Sequence, residues 1–296
     1  MTKVTTILLA LICVSRVALA PAALAQQQKP RETGFTLLTD EVTSDFKYMI
    51  DNIQMDGVDV VTSPLYVASD NSILRSPTFY LALAAAGAAF GGSFALDQTL
   101  RARLRDMKHS TASGLENISY GGIGGLSALV YAYGLYNDDA KVRETMLTGV
   151  ESAGVVSLLA LALKPAFGRL RPHQDHHSHT KFFDGGASLP SGEAAPMFAL
   201  AAGISESFDD RWYVAIPAYS LALADGFGRM GHDAHWFSDI AGAAILGVGT
   251  TELLLYLHTQ HSTQLDRWRV FPVSGSPGRG GGGGETPMGL GISYNW

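Results

Sequence analysis

Apolar residues recur at helical spacing along most of this chain. Val42, Phe46, Met49, Ile50 and Ile53 form a first stripe, and Asp40, Glu41 and Asp45 fall in its early turns, where the helix dipole favours negative charge. A polar loop follows around 63–76, with Pro64 and Pro77. Six further apolar stretches lie near 77–105, 116–137, 139–167, 192–207, 211–228 and 235–262. Strand signals are scarce between them, so the pattern predicts an all-α helical bundle. At the end of the chain the period changes. Trp268 and Val270 flank Arg269, and Leu290, Ile292, Tyr294 and Trp296 alternate with small or polar residues, which predicts a short β-hairpin-like tail around the glycine run Gly280–Gly284.

A helix that crosses a bilayer needs about 20 apolar residues. Stretches 76–96 and 117–137 reach that length without a charge, whereas the other four are interrupted sooner. The expectation is a water-soluble bundle or one attached peripherally to a membrane. Gly87 and Gly91 allow close helix packing in either solvent.

The chain has 296 residues, 47% of them apolar and 16% charged, with a formal charge of −6. This excludes a disordered chain, and the acidic balance without basic clusters excludes a nucleic-acid partner. The N-terminus carries Lys3, an apolar run and Ala23-Leu24-Ala25, the layout of a cleaved secretory signal. The predicted organisation is a signal peptide over 1–25, a helical domain over 26–266 and a glycine-rich tail over 267–296. The expected location is the periplasm or cell envelope. Cys13 would leave with the signal, so the mature chain would have neither a disulfide nor a thiol nucleophile.

Candidate chemistry concentrates between 164 and 239. Lys164, Arg169 and Arg171 close an apolar helix that Pro172 is expected to stop. Pro190-Ser191-Gly192-Glu193 then opens the next helix, and Arg229 precedes His235 and Asp239. Three cations suit a tetrahedral oxyanion, and free backbone N–H groups after Ser191 add an anion site. His235 and Asp239 are four apart, so the carboxylate can hold the imidazole in one tautomer and leave a nucleophile. The set fits phosphoryl transfer through a phosphohistidine, with no metal or cofactor required.

Lys164-x6-Arg171-Pro172, Pro190-Ser191-Gly192 and Arg229-x5-His235-x3-Asp239 together resemble the three-part signature of the type 2 phosphatidic acid phosphatase superfamily. That group includes bacterial acid phosphatases, lipid phosphatases and vanadium haloperoxidases. The resemblance implies a mainly helical fold. It also implies that Lys164, Arg171 and Arg229 hold phosphate oxygens, that Ser191 and the Gly192 amide complete the cradle, that His235 attacks phosphorus and that Asp239 orients it. Two positions depart from the family pattern. Gly228 replaces the serine before the third-motif arginine, and Glu193 replaces the histidine that protonates the leaving group. A glutamate ionised near neutral pH is a poor acid and repels an anionic substrate.

The implied partner is a phosphorylated small molecule or lipid. The leading expectation is an exported hydrolase of a lipid phosphomonoester or pyrophosphate. A broad-specificity acid phosphatase, a vanadium haloperoxidase and a non-catalytic phosphate-binding envelope protein remain as alternatives. The histidine-rich loop of His173, Asp175, His176, His177 and His179 reads as a solvated loop beside the site, with a zinc site as the rival reading. His232 reads as a pocket-lining residue, Arg169 as a supporting charge, and Glu151 and Glu252 as paired or water-facing carboxylates. Tyr120, Tyr131, Tyr133 and Tyr136 read as packing residues.

Overall fold

The computed structural model describes residues 41–50, 60, 76–175, 180–265, 268–274 and 288–294. The signal segment, the glycine run, and His176, His177 and His179 lie outside the described residues. The chain divides into a unit Met1–Leu255 and a unit Tyr256–Trp296. The first is helical: α1 (Pro77–Ser93), a 3-10 turn (Phe94–Leu96), α2 (Asp97–Leu104), α3 (His109–Tyr136), α4 (Ala140–Phe167), α5 (Ala194–Glu206), α6 (Trp212–Gly231) and most of α7 (Phe237–Leu265). The second holds the end of α7 and the antiparallel strands β1 (Trp268–Ser274) and β2 (Met288–Tyr294), with Trp268 opposite Tyr294. The all-α fold with a hairpin tail is therefore as the periodicity predicts.

Helix boundaries follow local chemistry. Ser76 caps α1 by accepting from the Phe79 N–H, with Pro77 in the first turn, and Asp139 caps α4 through the Val142 N–H at 3.2 Å. Two boundaries differ from expectation. The stretch 77–105 is broken by the 3-10 turn at Phe94–Leu96, where the Ser93 hydroxyl donates to the Phe90 carbonyl and Gly91 and Gly92 lower helix propensity. Helix α4 ends at Gly168, not at Pro172. Gly168 takes a left-handed conformation with φ 53°, so Arg169 and Arg171 sit in the loop beyond the helix. The predicted first stripe is helical over 41–50, and its Asp45 accepts from Tyr131 at 2.9 Å and Arg143 at 3.2 Å.

The core surrounds α5, whose Ala194, Ala195, Phe198, Ala199, Ala201, Ala202 and Ile204 are all buried. Alanine dominates because neighbouring helices approach α5 at backbone distance. A Cβ at Gly203 would lie 2.8 Å from Gly149 Cα of α4, and one at Gly247 of α7 would lie 2.4 Å from the Ala195 carbonyl. Neither neighbour can yield without moving a helix. Gly203→Val is expected to cost about 3 kcal/mol through overpacking, read as a lowered midpoint in thermal unfolding.

Three helices, Pro77–Leu104, Ala140–Phe167 and Phe237–His258, are long and apolar enough to cross a membrane. This corrects the view that the stretches of α4 and α7 are too short. Counting only charge-free runs penalised them for Glu151 and Glu252, yet Glu151 is buried inside the bundle, with 1% exposure. Tyr80, Leu81 and Leu83 on α1 and Leu158 and Leu161 on α4 are exposed large apolar side chains on two of these helices.

Candidate active site

The ends of four helices bring the sequence motifs to one end of the bundle. Lys164 lies in the last turn of α4, Ser191-Gly192-Glu193 lead into α5, Arg229 lies in the last turn of α6, and Asp239 is in the first turn of α7. The loop after α4 is pinned against 181–188. Leu170 N–H donates to the Lys181 carbonyl, and the N–H groups of Gly186 and Ser188 donate to the carbonyls of Gly168 and Arg169. Gly186 is required there, because a Cβ would meet the Arg169 carbonyl at 2.1 Å. The Leu189-Pro190 peptide bond is cis.

Lys164 and Gly192 show how closely the first and second motifs meet. A Cβ at Gly192 would lie 3.3 Å from Lys164 Nζ, so glycine leaves the ammonium room beside the backbone of the α5 entrance. Ser191 is fully buried. Its Oγ accepts from the Ala194 N–H at 3.4 Å, and its own N–H donates to the Asp239 carbonyl at 3.3 Å. The serine thus caps α5 and ties it to α7. The charges of Arg171, Arg229, Glu193 and Asp239 all act on Lys164.

His235 lies in the turn just before α7 rather than on the helix, and the expected pairing with Asp239 is present. Nδ1 is 3.5 Å from Asp239 Oδ2, and both side chains are buried. Nδ1 makes no hydrogen bond at this distance, but the carboxylate facing it leaves Nε2 as the nitrogen available to a substrate. Desolvation by burial pushes the His235 pKa below its ordinary value. Asp239 opposes that shift, while Arg171 and Arg229 add to it. The neutral, nucleophilic imidazole is favoured.

Sequence reasoning undervalued Arg169 and missed Asp97, Ser188 and Ser238. Arg169 is 0% exposed. Its Nη1 donates to Asp239 Oδ1 at 2.5 Å and to Ser238 Oγ at 2.7 Å, and its Nη2 donates to Asp97 Oδ2 at 2.7 Å. Asp239 Oδ2 accepts from the Ser188 hydroxyl and from the Trp236 N–H at 2.9 Å.

The two departures from the family pattern meet at Arg229. Glu193 is half exposed and pairs with Arg229 at 2.5 Å. A Cβ at Gly228 would lie 2.7 Å from Glu116 Cγ and 2.8 Å from the Ala112 carbonyl, so α3 fills the space a serine side chain would take. Glu116 reaches Arg229 at 3.5 Å and His232 at 3.6 Å. A carboxylate from a different helix thus lies against Arg229 where the side chain at 228 is absent. Of the loop histidines, His173 contacts the Asp233 carbonyl at 3.0 Å, and Asp175 pairs with Lys181 at 2.7 Å.

The segment 146–262 matches the sequence pattern of the PAP2 superfamily. A similar protein is a lipid A 1-phosphatase of Porphyromonas gingivalis, 35% identical over 94 residues. Those residues are 30% of this chain and 18% of that protein, so the chain spans under a fifth of this relative. No solved structure matches the chain.

Proposed function

We propose that the chain is a phosphoric-ester hydrolase acting on a phosphorylated lipid through a phosphohistidine on His235. The observation that carries the reading is the buried His235–Asp239 pair beside Arg171 and Arg229. In the first step the Nε2 lone pair forms an N–P bond as the ester P–O bond breaks. The leaving oxygen takes a proton from Glu193. In the second step water attacks phosphorus, the N–P bond breaks, Glu193 takes a proton from the water, and inorganic phosphate departs. Lys164, Arg171 and Arg229 neutralise the phosphoryl oxygens throughout, with Ser191 and the Gly192 amide completing the cradle.

A lipid substrate is supported by the three apolar helices and by the similarity to a lipid A 1-phosphatase. The protein would be exported and sit in the cell envelope, with its exposed apolar helices in lipid rather than attached only at the surface. A phosphate-release screen of the detergent-purified protein tests this. It compares lipid monophosphates, lipid pyrophosphates and nitrophenyl phosphate from acid to neutral pH. Turnover of nitrophenyl phosphate with no lipid phosphate hydrolysed would instead identify a broad acid phosphatase.

The depressed pKa of His235 gives a pH prediction. The neutral ring attacks, so on the acid side rate is lost as pH falls through the folded-state pKa, which lies below the ordinary imidazole value. On the basic side rate is lost as the proton donor Glu193 ionises. The acid limb of kcat/KM is expected below the ordinary imidazole range. An acid limb at or above that range would contradict it.

A further inference from the structure

The mechanism above gives no task to a buried ionic group that lies against it. Asp97 opens α2 and is 1% exposed, and Arg169 is wholly enclosed. Asp97 Oδ1 accepts from the Ser238 N–H at 2.8 Å, and Oδ2 accepts from the Ser238 hydroxyl and from Arg169 Nη2, each at 2.7 Å. The guanidinium is also packed by the rings of Phe94, Phe182 and Trp236, at 4.9, 5.2 and 5.7 Å. Asp97 lies outside the segment that matches the family and 141 residues before Ser238.

We infer that Asp97 and Arg169 are positioning residues for the phosphohistidine reaction, holding the Asp239 carboxylate on His235 Nδ1 and balancing the charge the ring acquires. The inference rests on the phosphohistidine reading. Its first part is geometric. An aspartate with one free oxygen could turn away from the imidazole. Here Oδ1 is held by Arg169, and Oδ2 receives the Ser188 hydroxyl and the Trp236 N–H as it faces Nδ1. Arg169 cannot swing away, because Asp97 grips its other nitrogen.

The second part is electrostatic. Asp97, Arg169 and Asp239 sum to one negative charge. When Nε2 binds phosphorus the ring becomes cationic, and the buried set of four becomes neutral. The negative charge is thus matched to the intermediate rather than to the resting ring, and interactions stronger in the transition state raise kcat. The other groups acting on His235 are Arg171, from the loop after α4, and Arg229 from α6. Both cations disfavour a cationic ring until a phosphate neutralises them, so the compensating charge comes from Asp239, which Arg169 and Asp97 hold in place. A purely structural role is a weaker account, because a buried ion pair costs much desolvation for little net stability.

The test uses the full chain in detergent with nitrophenyl phosphate. Asp97→Asn is expected to lower kcat about 10- to 100-fold, with KM within about twofold. Removing a negative charge disfavours the protonated ring, so the acid limb of the pH profile should also move to lower pH. A structural defect would not move that limb. If Asp97→Asn does not fold, Ser238→Ala decides, with an expected kcat loss of about tenfold at unchanged KM. A folded Asp97→Asn with wild-type kcat and acid limb, or a folded Ser238→Ala with wild-type kcat, would overturn the inference. His235→Ala measured alongside separates the two claims: activity surviving there sinks the phosphohistidine reading instead.

Discussion

His235→Ala is expected to lose phosphate release by a factor of about 10⁴ or more, the scale on which removal of a covalent nucleophile acts. KM is expected to change little, because Lys164, Arg171 and Arg229 remain to bind the phosphoryl group. The distinguishing readout is the covalent intermediate: acid-labile label from a radioactive phosphate ester, trapped on the wild-type chain, should be absent from His235→Ala. Among the described residues, no neighbouring histidine is placed to substitute. His232 is engaged with Glu116 at 3.6 Å and with Ser113 at 3.3 Å, and its ring centre lies 4.5 Å from that of His109. His173 is turned to the Asp233 carbonyl. Turnover within tenfold of wild type in His235→Ala would show that phosphorus is attacked by water or by another group.

What the sequence made legible was set by distance along the chain. His235 and Asp239 are only four apart, so their proximity was legible although His235 lies just before α7 and not on it, and each of the three motifs is a short segment whose spacing survives as pattern. The helices were legible because small and apolar residues recur over whole turns, and the hairpin because its period is two. Contacts between distant segments were not. Asp97 and Arg169 are 72 residues apart, and nothing local distinguishes Asp97 from an ordinary acid at a helix start. Arg169 looked like a spare charge for the same reason, although it is fully buried and pairs with both Asp97 and Asp239. Glu116 shows a different limit. Read one position at a time, Gly228 is a lost side chain; the fold shows that α3 approaches there and supplies Glu116, an exchange between two helices. The spanning length of α4 and α7 was missed because a charge in the sequence does not reveal whether it faces outward or, like Glu151, the bundle interior.

Glu193→Gln separates the two things this carboxylate does. As it stands, Glu193 takes one donor of Arg229 at 2.5 Å, on the guanidinium proposed to hold phosphate. A substrate must therefore share or displace it. Glutamine keeps the shape but removes the charge, so the competition for Arg229 weakens and KM should fall for every substrate. The same change removes the proton donor. An alkyl leaving oxygen is a strong base and needs that proton as the P–O bond breaks, whereas a nitrophenolate leaves readily without one. The expected result, read in single-turnover formation of the phosphohistidine, is a rate about 100-fold lower on an alkyl phosphate and nearly unchanged on nitrophenyl phosphate, while the later hydrolysis step, which uses Glu193 as base, slows equally for both. Wild-type and variant chains with equal kcat on the alkyl ester would exclude Glu193 as the acid and leave it only as an occupant of Arg229. An equal loss in the first step on both esters would instead place its role in building the phosphate cradle, because damage to binding geometry does not distinguish leaving groups.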